Sequence, residues 1–176
     1  LDVTLMPGVP MPASAQPAPE RKALVMPRGD KTLAHPPVVV GAGPCGLFAA
    51  LVLAREGYRP IVLERGEDLS KRRARVNRFF EGGAHDEESN VLFGDGGAGA
   101  FSDGKLTARG RDAAAAFVLD ALCDHGAPQE IRALHKPHLG TDGLGVVIAA
   151  IKQSVLRHGG QWHNGAKVDG LACRGE

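Results

Sequence analysis

The sequence predicts an α/β domain opened by a parallel βαβ unit, and three observations predict it. Val38-Val39-Val40 is a short β-branched run, as expected of a parallel strand covered on both faces. It leads directly into Gly41-Ala42-Gly43-Pro44-Cys45-Gly46, a G-x-G-x-x-G turn. A second apolar run, Ile61-Val62-Leu63, ends in Glu64, 23 residues after Gly41. A carboxylate about 20 residues beyond such a turn is placed to accept hydrogen bonds from ribose hydroxyls.

Each glycine of the turn has a separate task. Gly41 permits the tight bend, Gly43 lets the backbone approach a pyrophosphate, and Gly46 lets the following helix pack on the strand. That helix carries Leu47, Leu51 and Ala54 at helical spacing, has Ala50 as a further small residue, and stops at Gly57. Its first turn has free N–H groups and a partial positive charge, which suit a diphosphate. The second strand is read as Arg59–Glu64. Together these features define a Rossmann-like dinucleotide-binding unit.

After the turn Arg65–Asp68, Asp68 or Ser70 caps a predicted helix over about 69–81. Val76, Phe79 and Phe80 form its apolar side, and Lys71, Arg72, Arg73, Arg75 and Arg78 its solvated side. Arg65 and Arg72 directly follow the ribose-binding strand and are the candidates to reach a cofactor phosphate. Residues 94–104 contain five glycines. Such density is costly in backbone entropy, so it implies a backbone laid against a ligand. Val91, Leu92, Phe93 and Phe101 are interleaved with the glycines, which marks a packed loop rather than a linker.

Asp112 opens a helix through Leu122 that ends near His125-Gly126, and Pro128 with Glu130 opens a short helical turn. In Leu134–Asp142, His135 and His138 flank Pro137, which forbids the helical spacing a metal pair needs, so plain loop residues are expected. Thr141 or Asp142 is expected to cap an amphipathic helix bearing Leu144, Val147, Ile148, Ile151, Val155 and Leu156 and stopping at His158-Gly159. Residues 160–172 read as one interrupted strand or two short ones beside the first two. Val168 there is a candidate to meet an adenine through its backbone.

Composition excludes several functions. The net charge is +1 and aromatic residues make up 5%, so neither nucleic acid nor an anionic membrane is an expected partner. Cys45, Cys123 and Cys173 are odd in number and widely spaced, which fits a reducing, cytoplasmic setting and no disulfide framework. No apolar run approaches the length needed to span a membrane. Residues 1–36 hold seven of the twelve prolines and read as a Pro/Ala-rich linker or disordered lead-in, in which Ala23–Met26 is a candidate strand remnant. The α/β domain occupies 37–176. The start at Leu1 and the stop just after a predicted strand suggest a fragment.

The stretch Gly41–Glu64, with Gly41, Gly43, Gly46, Ala50, Gly57 and Glu64 at matching positions, is similar to the FAD-binding fingerprint of the glutathione-reductase-like flavoproteins. Residues 88–99, 101–106 and Lys136–Asp142 resemble signatures of the uncharacterised FAD-dependent dehydrogenases of bacteria and plastids. The resemblance covers about residues 37–172. It implies an FAD/NAD(P)-binding domain that is incomplete at its C-terminus, with FAD as cofactor and an oxidoreductase activity whose substrate and redox partner are open. It further implies that Gly41, Gly43, Pro44, Cys45 and Gly46 hold the FAD diphosphate and Glu64 the adenosine ribose. The loop residues Gly96, Gly97, Ala98, Gly99 and Ser102 would approach the diphosphate, ribityl chain or flavin ring. Cys45 stands where alanine is commoner in that family. An NAD-dependent domain and a non-catalytic dinucleotide-binding module are the alternatives. Neither a catalytic acid or base nor a metal site is assigned.

Overall fold

The computed structural model describes residues 7–15, 24–26, 32–102, 104–106, 112–134 and 136–172. Ala23, Asp103, His135 and Cys173 therefore lie outside the described residues, as does much of the proline-rich lead-in. The described residues before Val38 carry no helix or strand, Leu24–Met26 included. The order is β1 (Val38–Val40), α1 (Pro44–Arg55), β2 (Ile61–Glu64), α2 (Leu69–Phe80), a 3₁₀ turn Gly97–Phe101, α3 (Ala113–Asp124), a second 3₁₀ turn Gln129–Arg132, α4 (Gly140–Arg157) and β3 (Gln161–Asn164). The sheet order is β1-β2-β3, with every pairing parallel. This is a Rossmann-like α/β arrangement. Among the described residues, no helix is long and apolar enough to cross a membrane.

The helices cover one face of the sheet. Val39, Val62 and Trp162 share a register row and turn toward Ala42, Ala50, Ala54 and Val155. Ala50 and Ala54 are the small residues that let α1 lie close against Val62, and all three are fully or almost fully buried. A larger cluster joins Leu47 and Leu51 of α1 to Val147, Ile148 and Ile151 of α4 and to Ala121 and Leu122 of α3. Each fully buried Leu or Ile contributes about 1.5–3 kcal/mol relative to exposure.

Several sequence expectations need correction. β1 is not covered on both faces: Val38 and Val40 are 55% and 59% exposed, because α1 and α4 lie on the opposite face. β2 starts at Ile61, since Arg59 adopts a positive φ of 51° after the helix-ending Gly57 and cannot extend the strand. On α2, Phe79 and Phe80 are exposed, and the buried face is Arg72 with Val76, four residues on. α4 begins at Gly140 without a side-chain cap; the Thr141 hydroxyl instead donates to the Ser102 carbonyl. Leu156 is 38% exposed. Residues 160–172 form one strand, β3, followed by coil.

Other expectations hold. Asp68 caps α2, its carboxylate accepting from the N–H groups of Ser70 and Lys71. The Ser70 hydroxyl bond and these two amides hold that carboxyl below its ordinary range. Asp112 caps α3 through the Ala115 N–H.

Candidate functional site

The turn between β1 and α1 is built as the glycine spacing requires. Gly41 has φ +93°. A Cβ on Gly46 would collide with the Gly41 carbonyl and lie 3.3 Å from Val39, so only glycine allows α1 to close on β1. Among the described residues, a Cβ on Gly43 would meet nothing within 4 Å, so Gly43 faces open space there. Gly43 is also the N-cap of α1, no side chain among the described residues caps it, and Pro44 follows with its preset φ. Cys45 is exposed in this first turn. An uncapped helix start beside an open glycine is a ready place for an anion.

Glu64 ends β2 and is 4% exposed. One carboxylate oxygen accepts from the Ala42 N–H at 2.6 Å, and the other from Gly66 N–H at 2.8 Å and Gly94 N–H at 2.9 Å. It thus ties together the fingerprint turn, the end of its own strand and the glycine loop. Among the described residues, the oxygen bonded to Ala42 accepts no other hydrogen bond and so retains acceptor capacity. After β3, the Ala166 N–H donates to the Glu64 carbonyl and the Gly165 N–H to the Gly66 carbonyl. This places half-buried Val168 two residues beyond the contact with Glu64.

The glycine loop lies directly on the fingerprint turn. The Gly96 N–H donates to the Ala42 carbonyl at 2.9 Å. Gly97, with φ +59°, lies close against the turn: a Cβ there would be strained and would sit 3.1 Å from the Gly43 Cα and 3.4 Å from the Pro44 Cδ. Gly94–Gly97 and Ala100 are buried, while Ala98 and Ser102 are exposed and Gly99 is half-buried. Further along, residues 104–106 pair with 137–139 in a short antiparallel clasp. The Leu106 N–H donates to Pro137, the Leu139 N–H to Gly104, and a Cβ on Gly104 would press on the Gly140 backbone. The glycine loop and the Lys136–Asp142 stretch, separate in sequence, form one unit.

The two arginines are placed differently from each other. Arg65 pairs with Glu88 at 2.6 Å and stacks on the Phe93 ring at 4.0 Å. Lys167 reaches the same Glu88 at 2.9 Å. These two cations hold the Glu88 carboxyl below its ordinary range. Arg72 is fully buried beneath the loop. Its Nε donates to the Asn90 carbonyl at 2.7 Å and one Nη to the Asp95 carbonyl at 2.8 Å, and the guanidinium lies over the Phe101 ring. Among the described residues, its second Nη has no hydrogen-bond partner. Burial brings its pKa down to about 10, against the opposing pull of Glu64 and Asp95, so it stays charged at neutral pH. Arg72 therefore underpins the loop and does not line an open surface.

Sequence reading passed over Asp95, Lys152, Trp162 and Asn164, which meet behind the loop. The available signal was Asp95 itself, the sole polar side chain in Gly94–Ala100. A groove of about 880 Å³ between α2 and α4, edged by Arg73, Asp142, Asp95 and Lys152, lies apart from the fingerprint glycines. Among the described residues, no three His, Cys, Asp or Glu side chains are grouped to hold a metal ion. His138 sits in the clasp opposite Lys105.

Comparisons with known proteins agree with the fold. Residues 39–101, from β1 through the glycine loop, match the NAD(P)-binding Rossmann-like domain family model. The chain is 52% identical over 146 residues to an uncharacterised protein of Clostridium beijerinckii (strain ATCC 51743 / NCIMB 8052). That match covers 83% of this chain and 27% of the relative, so the chain spans about a quarter of the length of the curated relative it matches. Fold, glycine turn and family match together support a nucleotide-binding domain of the oxidoreductase type, built on the Rossmann-like plan.

Proposed function

We propose that this chain forms the dinucleotide-binding part of a flavoprotein oxidoreductase and that its dinucleotide is FAD. The observation that carries the reading is the glycine loop laid on the fingerprint turn, with Gly96 bonded to Ala42 and Gly97 against Gly43. A plain nicotinamide-binding βαβ unit has no need of a second glycine-rich backbone there. A flavin dinucleotide, which continues past the diphosphate into a ribityl chain and a ring, has use for it. The similarity of this loop and of Lys136–Asp142 to the FAD-dependent dehydrogenases supports the same choice.

The residues present fit the group. Gly43 leaves the space that a diphosphate needs, and the uncapped start of α1 offers N–H donors and a favourable dipole. Glu64 is fixed by three backbone donors, and its oxygen bonded to Ala42 is the acceptor assigned to the adenosine ribose in this reading. Ala98 and Ser102 are exposed and Gly99 is half-buried, and in this reading they meet the remainder of the ligand. When bound, FAD supplies the electron transfer between donor and acceptor, and this chain supplies position and electrostatics. The substrate or redox partner belongs to the whole protein.

The test is the visible spectrum of the purified chain after incubation with FAD and removal of free ligand. We expect flavin absorbance to travel with the protein. A colourless protein that retains NAD instead would contradict FAD and favour a nicotinamide-dependent domain. Retention of neither would contradict dinucleotide binding by this chain.

A further inference from the structure

We propose that Asp95 is the positioning residue that holds the glycine loop against the fingerprint turn in the geometry the dinucleotide needs. This rests on the dinucleotide-binding reading above and names how the site is held. Gly94-Asp95-Gly96-Gly97-Ala98-Gly99-Ala100 contains four glycines and two alanines, so Asp95 carries the run's one polar side chain. Such a backbone has many alternative conformations and few groups with which to select one.

Asp95 selects it from several sides. Its side chain is 3% exposed. One carboxylate oxygen accepts from Lys152 Nζ at 2.7 Å, on α4. The other accepts from Asn164 Nδ2 at 2.7 Å and Trp162 Nε1 at 3.0 Å, both on β3. Lys152 closes the triangle by donating to Asn164 Oδ1 at 2.7 Å. The main chain of the same residue is engaged too: its N–H donates to the Glu67 carbonyl and its carbonyl accepts from Arg72. One residue later, Gly96 makes the bond to Ala42. The loop is therefore clamped between α2, α4 and β3 by one residue, immediately before it touches the turn.

The three donors require an anion with two accepting oxygens. An asparagine offers one oxygen and turns an N–H₂ toward donors, so Asp95→Asn keeps size but reverses half of the hydrogen bonding. Charge-assisted bonds of this kind are the stronger class. Trp162 is the chain's single tryptophan, so its emission reports on the indole–carboxylate bond.

The experiment compares the full chain with Asp95→Asn and Lys152→Met at a temperature well below unfolding. It reads Trp162 emission, hydrogen exchange at the Gly96 and Gly97 amides without ligand, and the dissociation constant for FAD. In Asp95→Asn we expect a changed emission, exchange at Gly96 faster by about tenfold or more, and FAD binding weaker by about 10- to 100-fold. Lys152→Met, which leaves two donors in place, should show the same changes at smaller size. Asp124→Asn, which removes the long surface ion pairs to Arg55 and Arg132 at the end of α3, away from the loop, serves as the control and keeps wild-type values. Wild-type exchange and FAD affinity alongside altered emission would overturn the proposal, since the bond would be lost without release of the loop. If Asp95→Asn does not fold, wild-type exchange and affinity in Lys152→Met overturn it. If the wild-type chain binds no FAD, the cofactor reading fails, and exchange at Gly96 still decides whether Asp95 positions the loop.

Discussion

Gly46→Ala is expected to destabilise the chain by about 3 kcal/mol, and Gly43→Ala, three residues away, to leave stability within about 1 kcal/mol but to remove dinucleotide binding. The two glycines differ in what a methyl group would meet. At Gly46 it would strike the Gly41 carbonyl, with Val39 directly behind, and backbone cannot yield as a flexible side chain can. Relief requires α1 to lift off β1, which opens the packing of Ala50 and Ala54 on Val62. At Gly43 the methyl enters open space, and the backbone there is extended with a negative φ, so folding is undisturbed. The same methyl occupies the place proposed for the diphosphate. Thermal unfolding of both variants, with FAD titration of the folded one, checks the pair. Equal stability losses, or unimpaired binding by Gly43→Ala, would contradict the assignment of structure to one glycine and ligand contact to the other.

Arg72→Met is the second large effect, with an expected loss of about 3–5 kcal/mol. Methionine fills a similar volume, so the loss isolates the charge and its hydrogen bonds. Without the guanidinium, the carbonyls of Asn90 and Asp95 lose their donors in a buried setting. Glu64 and Asp95, both buried, also lose a nearby cation. A typical domain has only about 5–15 kcal/mol in total, so the variant should unfold at markedly lower urea. A loss under about 1 kcal/mol would show that burial of this charge costs as much as its contacts return.

What was legible in the sequence was local. The βαβ unit, the Asp68 and Asp112 caps and the ends of α2 and α3 follow from residue spacing and cap chemistry within a few positions, and the structure places them there. What failed depends on partners distant in sequence. Three valines in a row cannot tell how many layers cover β1. Thr141 is an adequate cap in isolation, but Ser102, 39 residues away, takes its hydroxyl. The five cations of α2 look uniformly solvated as a list. The four-residue spacing of Arg72 and Val76 already placed both on one helix face, and the loop carbonyls that make this burial tolerable come from residues 90 and 95. The clasp of 104–106 on 137–139 and the meeting of Asp95 with α4 and β3 are likewise products of topology.

Alkylation of Cys45 tests the central claim most directly, because this exposed thiol stands in the first turn of α1, where the diphosphate is proposed to sit. Cys123 is buried, and its thiol pKa is raised by that burial, so it reacts slowly and serves as an internal reference. The rate at each cysteine would be read by mass spectrometry with and without FAD. With FAD about tenfold above its dissociation constant, modification of Cys45 should slow about tenfold while Cys123 is unchanged. Unaltered alkylation of Cys45 in protein that demonstrably retains FAD would place the dinucleotide elsewhere and contradict the account.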